Sequence, residues 1–181
     1  LDGHQVHYPT PTAELVKALE GRQEGGALRQ LADARLALGD RKGALDAIQK
    51  WAEGEKSGAA WDEAAHWAAS HQEMATAFAA AQKALPGLAE PERRALADER
   101  VAWADQYPDA ADPIAMRQAR AALFPKDGAL LEDWVRALEK AGRLPEADKA
   151  LDGSQALSPE RRLLMRSDLA ADHEDPHGAF L

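Results

Sequence analysis

The chain has 181 residues, and its 31 acidic and 22 basic side chains give a formal net charge of −9; nucleic-acid binding needs clustered lysine and arginine, so a nucleic-acid partner is disfavoured. The absence of cysteine excludes disulfides, thiolate metal sites, thioether-linked haem and a cysteine nucleophile, and fits either the cytoplasm or an exported location, with a lean to the latter. Alanine and leucine dominate while valine, isoleucine and threonine are scarce, so composition points to an all-α fold with no sheet.

Residues 1–11 contain Pro9 and Pro11, lack helical periodicity and read as an extended arm. A single helical-repeat domain is expected over 12–181. It opens with a short helix capped by Thr12, with Leu15, Val16 and Leu19 on one face, ended and separated from the next by Gly21 and Gly25-Gly26. Leu28, Leu31, Ala32 and Leu36 form an apolar stripe that stops at Gly39. Ala44, Leu45, Ile48, Trp51 and Ala52 form the next. Two amphipathic helices joined by so short a turn pack antiparallel.

A second pair runs from Trp61, Ala64, Ala65 and Ala68 through a turn near Ser70-His71-Gln72 to Met74, Ala77, Phe78, Ala81, Ala84 and Leu85. Pro86-Gly87 stops it. The apolar run Ala77 to Ala81 within it is the longest of the chain and falls far short of the ~20 residues that span a bilayer. A third pair starts at Pro91, passes Leu96, Ala97, Val101 and Ala104, breaks at Tyr107-Pro108, and resumes after Asp112-Pro113 with Ile114, Met116, Ala119 and Leu123.

The fourth pair repeats the design of the first. Leu131, Trp134, Val135 and Leu138 run to Gly142, and Ala147, Ala150 and Leu151 follow after Pro145. The step from Gly39 to Ala44 equals that from Gly142 to Ala147, and the two glycines lie 103 residues apart, close to three periods of about 34. A fifth copy opens at Ser158-Pro159-Glu160 and continues through Leu163, Leu164 and Leu169, with Phe180 and Leu181 expected in a helix packed on it. The first residue, Leu1, and the last, Leu181, both read as cut ends of something longer, so self-association through truncated ends is expected.

Over roughly residues 25–181 the chain resembles the tetratricopeptide repeat, a helix–turn–helix unit of 34 residues. The resemblance is strongest in Leu28 to Trp51 and Leu131 to Leu151. It departs from that pattern at Ala32 and Arg35, where a glycine and an aromatic are usual. The resemblance implies a right-handed superhelical array of antiparallel helix pairs, about four with partial ends, whose first helices line a concave face. It further implies that Arg29, Asp33, Asp62, His66, Glu132, Arg136 and Glu139 line that face, a mixed-charge set suited to a polypeptide. The carboxylate clamp of some members uses asparagine, which this chain lacks entirely.

No catalytic residue, cofactor or metal site is expected. His4-x-x-His7 falls in the arm, and His173 and His177 are separated by Pro176, which interrupts a shared helical face. His66 and His71 flank a turn as polar or half-buried residues. The carboxylate pairs Glu90/Glu92, Asp98/Glu99 and Asp109/Asp112 read as solvated faces or partners of helix N-termini. The serines lack a nucleophile context, and no glycine-rich loop carries the lysine of a phosphate site. At helical spacing the five tryptophans read mostly as core. The expectation is a non-catalytic protein-interaction scaffold. The alternative is an accessory segment of a larger exported enzyme or polysaccharide-export or secretion machine.

Overall fold

A computed structural model describes residues 13–22, 24–152 and 154–173, the last two of these by backbone alone. Among the described residues there are ten α-helices, one 3-10 turn and no strand. The helices are α1 Ala13–Leu19, α2 Gly25–Ala37, α3 Arg41–Glu55, α4 Gly58–Ser70, α5 Met74–Ala84, α6 Glu90–Gln106, α7 Pro113–Leu123, α8 Gly128–Lys140, α9 Leu144–Asp152 and α10 Pro159–His173. The chain divides into two compact units, one through Leu96 and one from Ala97 onward, with the division falling inside α6. Residues 1–11, Thr12, His177, Phe180 and Leu181 lie outside the described set, as does the His173 side chain.

Helix starts follow local chemistry. The Asp40 carboxylate accepts from the Gly43 amide at 2.9 Å, Ser57 Oγ from Ala60 at 3.1 Å, Asp112 from Ile114 at 2.9 Å and Asp127 from Ala129 at 3.0 Å. Each satisfies an amide that the helix itself leaves without a partner.

Helix ends repeat one device. After α2 the Asp40 amide donates to the Arg35 carbonyl and the Gly39 amide to Leu36, with Gly39 at φ +85°. After α8 the Arg143 amide donates to Leu138 and the Gly142 amide to Glu139, with Gly142 at φ +71°. After α4 the same two bonds run from Glu73 to Ala68 and from Gln72 to Ala69, and Gln72 takes the left-handed position at φ +62°. These are Schellman turns, and only the first two use the glycine the motif favours.

In the first unit, α1 packs on α2, α2 on α3, α3 on α4, and α4 on α5. Its core is mostly alanine (Ala32, Ala44, Ala52, Ala65, Ala68, Ala77, Ala81, Ala84), with Ile48 the largest side chain fully enclosed there. Alanine buries little area per residue, so cohesion depends on close backbone approach. That approach is visible at Gly58 and Gly87, where a Cβ on either would fall within 3 Å of the other's backbone. Gly25 and Gly26 do not separate α1 from α2; they begin α2. A Cβ at Gly25 would collide with Glu55 and crowd Trp51, so glycine lets the start of α2 come down on the end of α3.

The second unit uses larger side chains. Leu131, Val135 and Leu138 of α8 pack with Ala147 and Leu151 of α9 and Met165 and Leu169 of α10. Ile114 packs against this cluster from α7 but, like Met116, Ala119 and Leu123, is only half-buried. The α6–α7–α8 side is tied by charge. Arg120 bridges Asp98 at 2.7 Å and Asp133 at 2.6 Å, and Arg117 holds Asp105 through two bonds of 2.7 and 2.8 Å.

Two sequence expectations fail in this unit. Leu163 and Leu164 are 65% and 57% exposed, because α10 turns Met165 and Leu169 to the core. Trp134 is half-buried, where the stripe suggested full enclosure.

Candidate functional site

The seven polar residues expected on a binding face fall into two groups. In the first unit Arg29 and Asp33 sit one turn apart on α2, and Asp62 and His66 one turn apart on α4. Arg29 forms an ion pair with Glu63 and lies 5.7 Å from the Trp51 ring centroid. The Trp67 indole donates to Asp33 at 2.8 Å, and its ring stacks at a tilt on His71 with centroids 4.5 Å apart. Arg29–Glu63 and Asp33–Trp67 each join positions 34 apart, linking α2 to α4 in one register. The His66 Nδ1 lies 2.9 Å from the Asp62 carbonyl and 3.3 Å from its carboxylate.

In the second unit Glu132 and Arg136 are one turn apart on α8, and Glu139 follows on the same helix. Arg161 of α10 donates to both Glu132 oxygens, at 2.8 and 2.6 Å, while Arg136 stands 3.8 Å from the same carboxylate. The paired Arg161 bonds hold the Glu132 carboxyl below its ordinary value, against the opposing pull of burial. Glu139 is half-buried and also has interactions of its own. Arg29, Asp33 and Glu132 thus cross-link helices while Asp62–His66 and Glu132–Arg136 pair within one, and exposed ion pairs of this kind each contribute little to stability.

None of the seven lines the cavity that the second unit does contain. This open cleft of about 700 Å³ lies between α7, α8, α9 and the segment leading to α10. Ala121, Phe124, Leu131, Trp134, Ala150 and Ala156 supply its apolar wall. Lys126 and Lys149 are its exposed cations, while Asp127 is occupied in capping α8 and Glu146 is held by Arg143. The Trp134 Nε1 is sealed from solvent and has no acceptor. Sequence periodicity placed Trp134 and Leu131 in a core stripe, which hid the cleft, and nothing in the sequence marks Phe124 and Pro125, just past the end of α7, as part of a wall.

Among the described residues no three histidine or carboxylate side chains gather into a group able to hold a metal ion, and no helix is long and apolar enough to cross a membrane. His4, His7 and His177 lie outside those residues. No family model matches the sequence, and no curated protein matches it. The functional reading therefore rests on the geometry alone.

Proposed function

We propose that the chain is a non-catalytic, tetratricopeptide-like scaffold that binds a polypeptide segment, and that the cleft of the second unit receives that segment's apolar anchor. The cleft carries the proposal. It has the size of a ligand site and a mostly apolar wall containing two aromatics, with polar and charged side chains among its lining. The Trp134 ring supplies one of the two aromatic surfaces for an apolar anchor to pack on, its indole nitrogen being turned away from solvent. Lys126 and Lys149 favour acidic residues flanking the anchor.

The repeat reading is supported by the turns at Gly39, Gln72 and Gly142, spaced 33 and 70 residues apart, near one and two periods of about 34. The α2–α4 links between positions 34 apart agree with it.

The test is an array of immobilised peptides, each with one phenylalanine or leucine between acidic or basic flanks, probed with the full chain. Acid-flanked peptides should bind, and Trp134→Ala or Lys149→Glu should weaken them more than tenfold. If Arg29→Glu and Arg136→Glu abolish binding while Trp134→Ala leaves it intact, the ligand lies on the first helices instead. Absence of binding to every peptide refutes the proposal.

A further inference from the structure

Arg100 of α6 is the buried charged residue of the described set, only 6% exposed. On a helix turning about 100° per residue, it falls in the middle of the buried arc formed by Leu96, Ala97, Val101 and Ala104. Asp98 and Asp105 of the same helix lie on the far side, committed to Arg120 and Arg117 of α7. Burial lowers the proton affinity of the Arg100 guanidinium, and no neighbouring carboxylate counters it.

Comparison with the other enclosed arginines sharpens the anomaly. Arg35, Arg93, Arg120 and Arg162 also leave Nε without a hydrogen-bond partner. Each of them nevertheless spends a terminal nitrogen on a carbonyl or carboxylate: Gly43 and Glu20, Leu88, Asp98 and Asp133, and Ser154 respectively. Among the described residues Arg100 has no hydrogen-bond or ion-pair partner at all. Its Nε is sealed from water, whereas the two terminal nitrogens are unpartnered without being sealed. The stem is thus enclosed, and only the end of the fork reaches solvent.

Enclosing a guanidinium to this degree without a counter-charge is unfavourable even where its terminal nitrogens reach water. The chain does not lack carboxylates, with 31 to choose from, and none is placed here. A buried methionine or leucine would fill the same arc at lower cost. We infer that Arg100 is a carboxylate-binding residue whose counter-ion is a single carboxylate group supplied by a ligand. The guanidinium fork matches a carboxylate through two parallel N–H···O bonds. A net charge of −9 disfavours a doubly charged phosphate. This inference does not depend on the cleft of the second unit.

The experiment titrates the full chain with sodium acetate, and separately with inorganic phosphate, against chloride at constant ionic strength. Melting temperature is read together with the side-chain Nε–H resonance of Arg100, assigned by its loss in Arg100→Lys. Acetate should move that resonance saturably and raise the melting temperature by about 4 °C at ten times its dissociation constant. Phosphate should do less at equal concentration. Arg100→Met should melt higher than wild type in chloride and lose the acetate response. An acetate effect that is absent, non-saturating or retained in Arg100→Met overturns the inference, and a response to phosphate alone overturns the carboxylate assignment. Should Arg100→Met fail to fold, the wild-type titration and Arg100→Lys decide the matter.

Discussion

The three Schellman turns permit a test in which packing plays no part. At Gly39 and Gly142 a Cβ would meet nothing within 4 Å, so replacement by alanine acts through the backbone alone. Holding an L-residue at φ +85° or +71° costs about 1–2 kcal/mol, and alanine's smaller unfolded-state entropy returns about half of that. Gly39→Ala and Gly142→Ala should therefore each destabilise by about 1 kcal/mol, or about 3 °C in a chain of this length. Gln72 holds the same position with an exposed side chain at φ +62°, so Gln72→Gly should stabilise by about 0.5 kcal/mol. Urea unfolding followed by far-ultraviolet circular dichroism reads the midpoints. If all three substitutions shift the midpoint in the same direction, these turns are not equivalent elements and the periodicity argued from them fails.

Two further outcomes follow from packing and charge. Leu138 is 1% exposed at the centre of its cluster, so Leu138→Ala should cost about 3 kcal/mol, whereas Trp134→Ala, beside the cleft, should cost about 2 kcal/mol; a larger midpoint loss for Trp134→Ala would place the indole in the core. The carboxyls of Glu132 and Asp105 are held below their ordinary values of 4.5 and 3.8, chiefly by their bonds to Arg161 and Arg117. Because the folded-state values are the lower ones, the stability they contribute is present above the ordinary values and lost as pH falls below them toward the depressed ones. Glu132→Gln should make acid unfolding begin from a less stable protein but proceed less steeply below pH 4.5, and an unchanged acid profile would remove Glu132 from this role.

Helix placement was legible because alanine-rich segments with period-3.6 stripes have one stable local solution, and because Asp112-Pro113 and Ser158-Pro159 announce helix starts chemically. The turn at Gln72 was legible only roughly. Its glycine is missing, and the left-handed conformation is imposed by the bonds of Gln72 and Glu73 back to Ala69 and Ala68. Gly25-Gly26 misled for the opposite reason. Glycine reads as a helix breaker, yet here its lack of a side chain serves a close approach to Trp51 and Glu55 that no local pattern records.

The site residues show where periodicity stops being informative. A stripe assigns residues to one side of a helix, but enclosure depends on how closely the next helix comes. Leu131, Trp134, Val135 and Leu138 share a stripe, yet Val135 is sealed while Trp134 borders a cleft, because α7 and α9 part on the Phe124 and Ala150 side. Leu163 and Leu164 show the same limit on α10, where Met165 and Leu169 take the buried positions. Arg100 is the converse case, a charge inside an apolar stripe that the reading of periodicity passed over. An arginine four residues after Leu96 and four before Ala104 stands inside an apolar arc, and a charge there is either paired across the interface or left for a ligand. The α6 aspartates are committed to Arg117 and Arg120, and burial alone acts on the Arg100 guanidinium, with no carboxylate countering it.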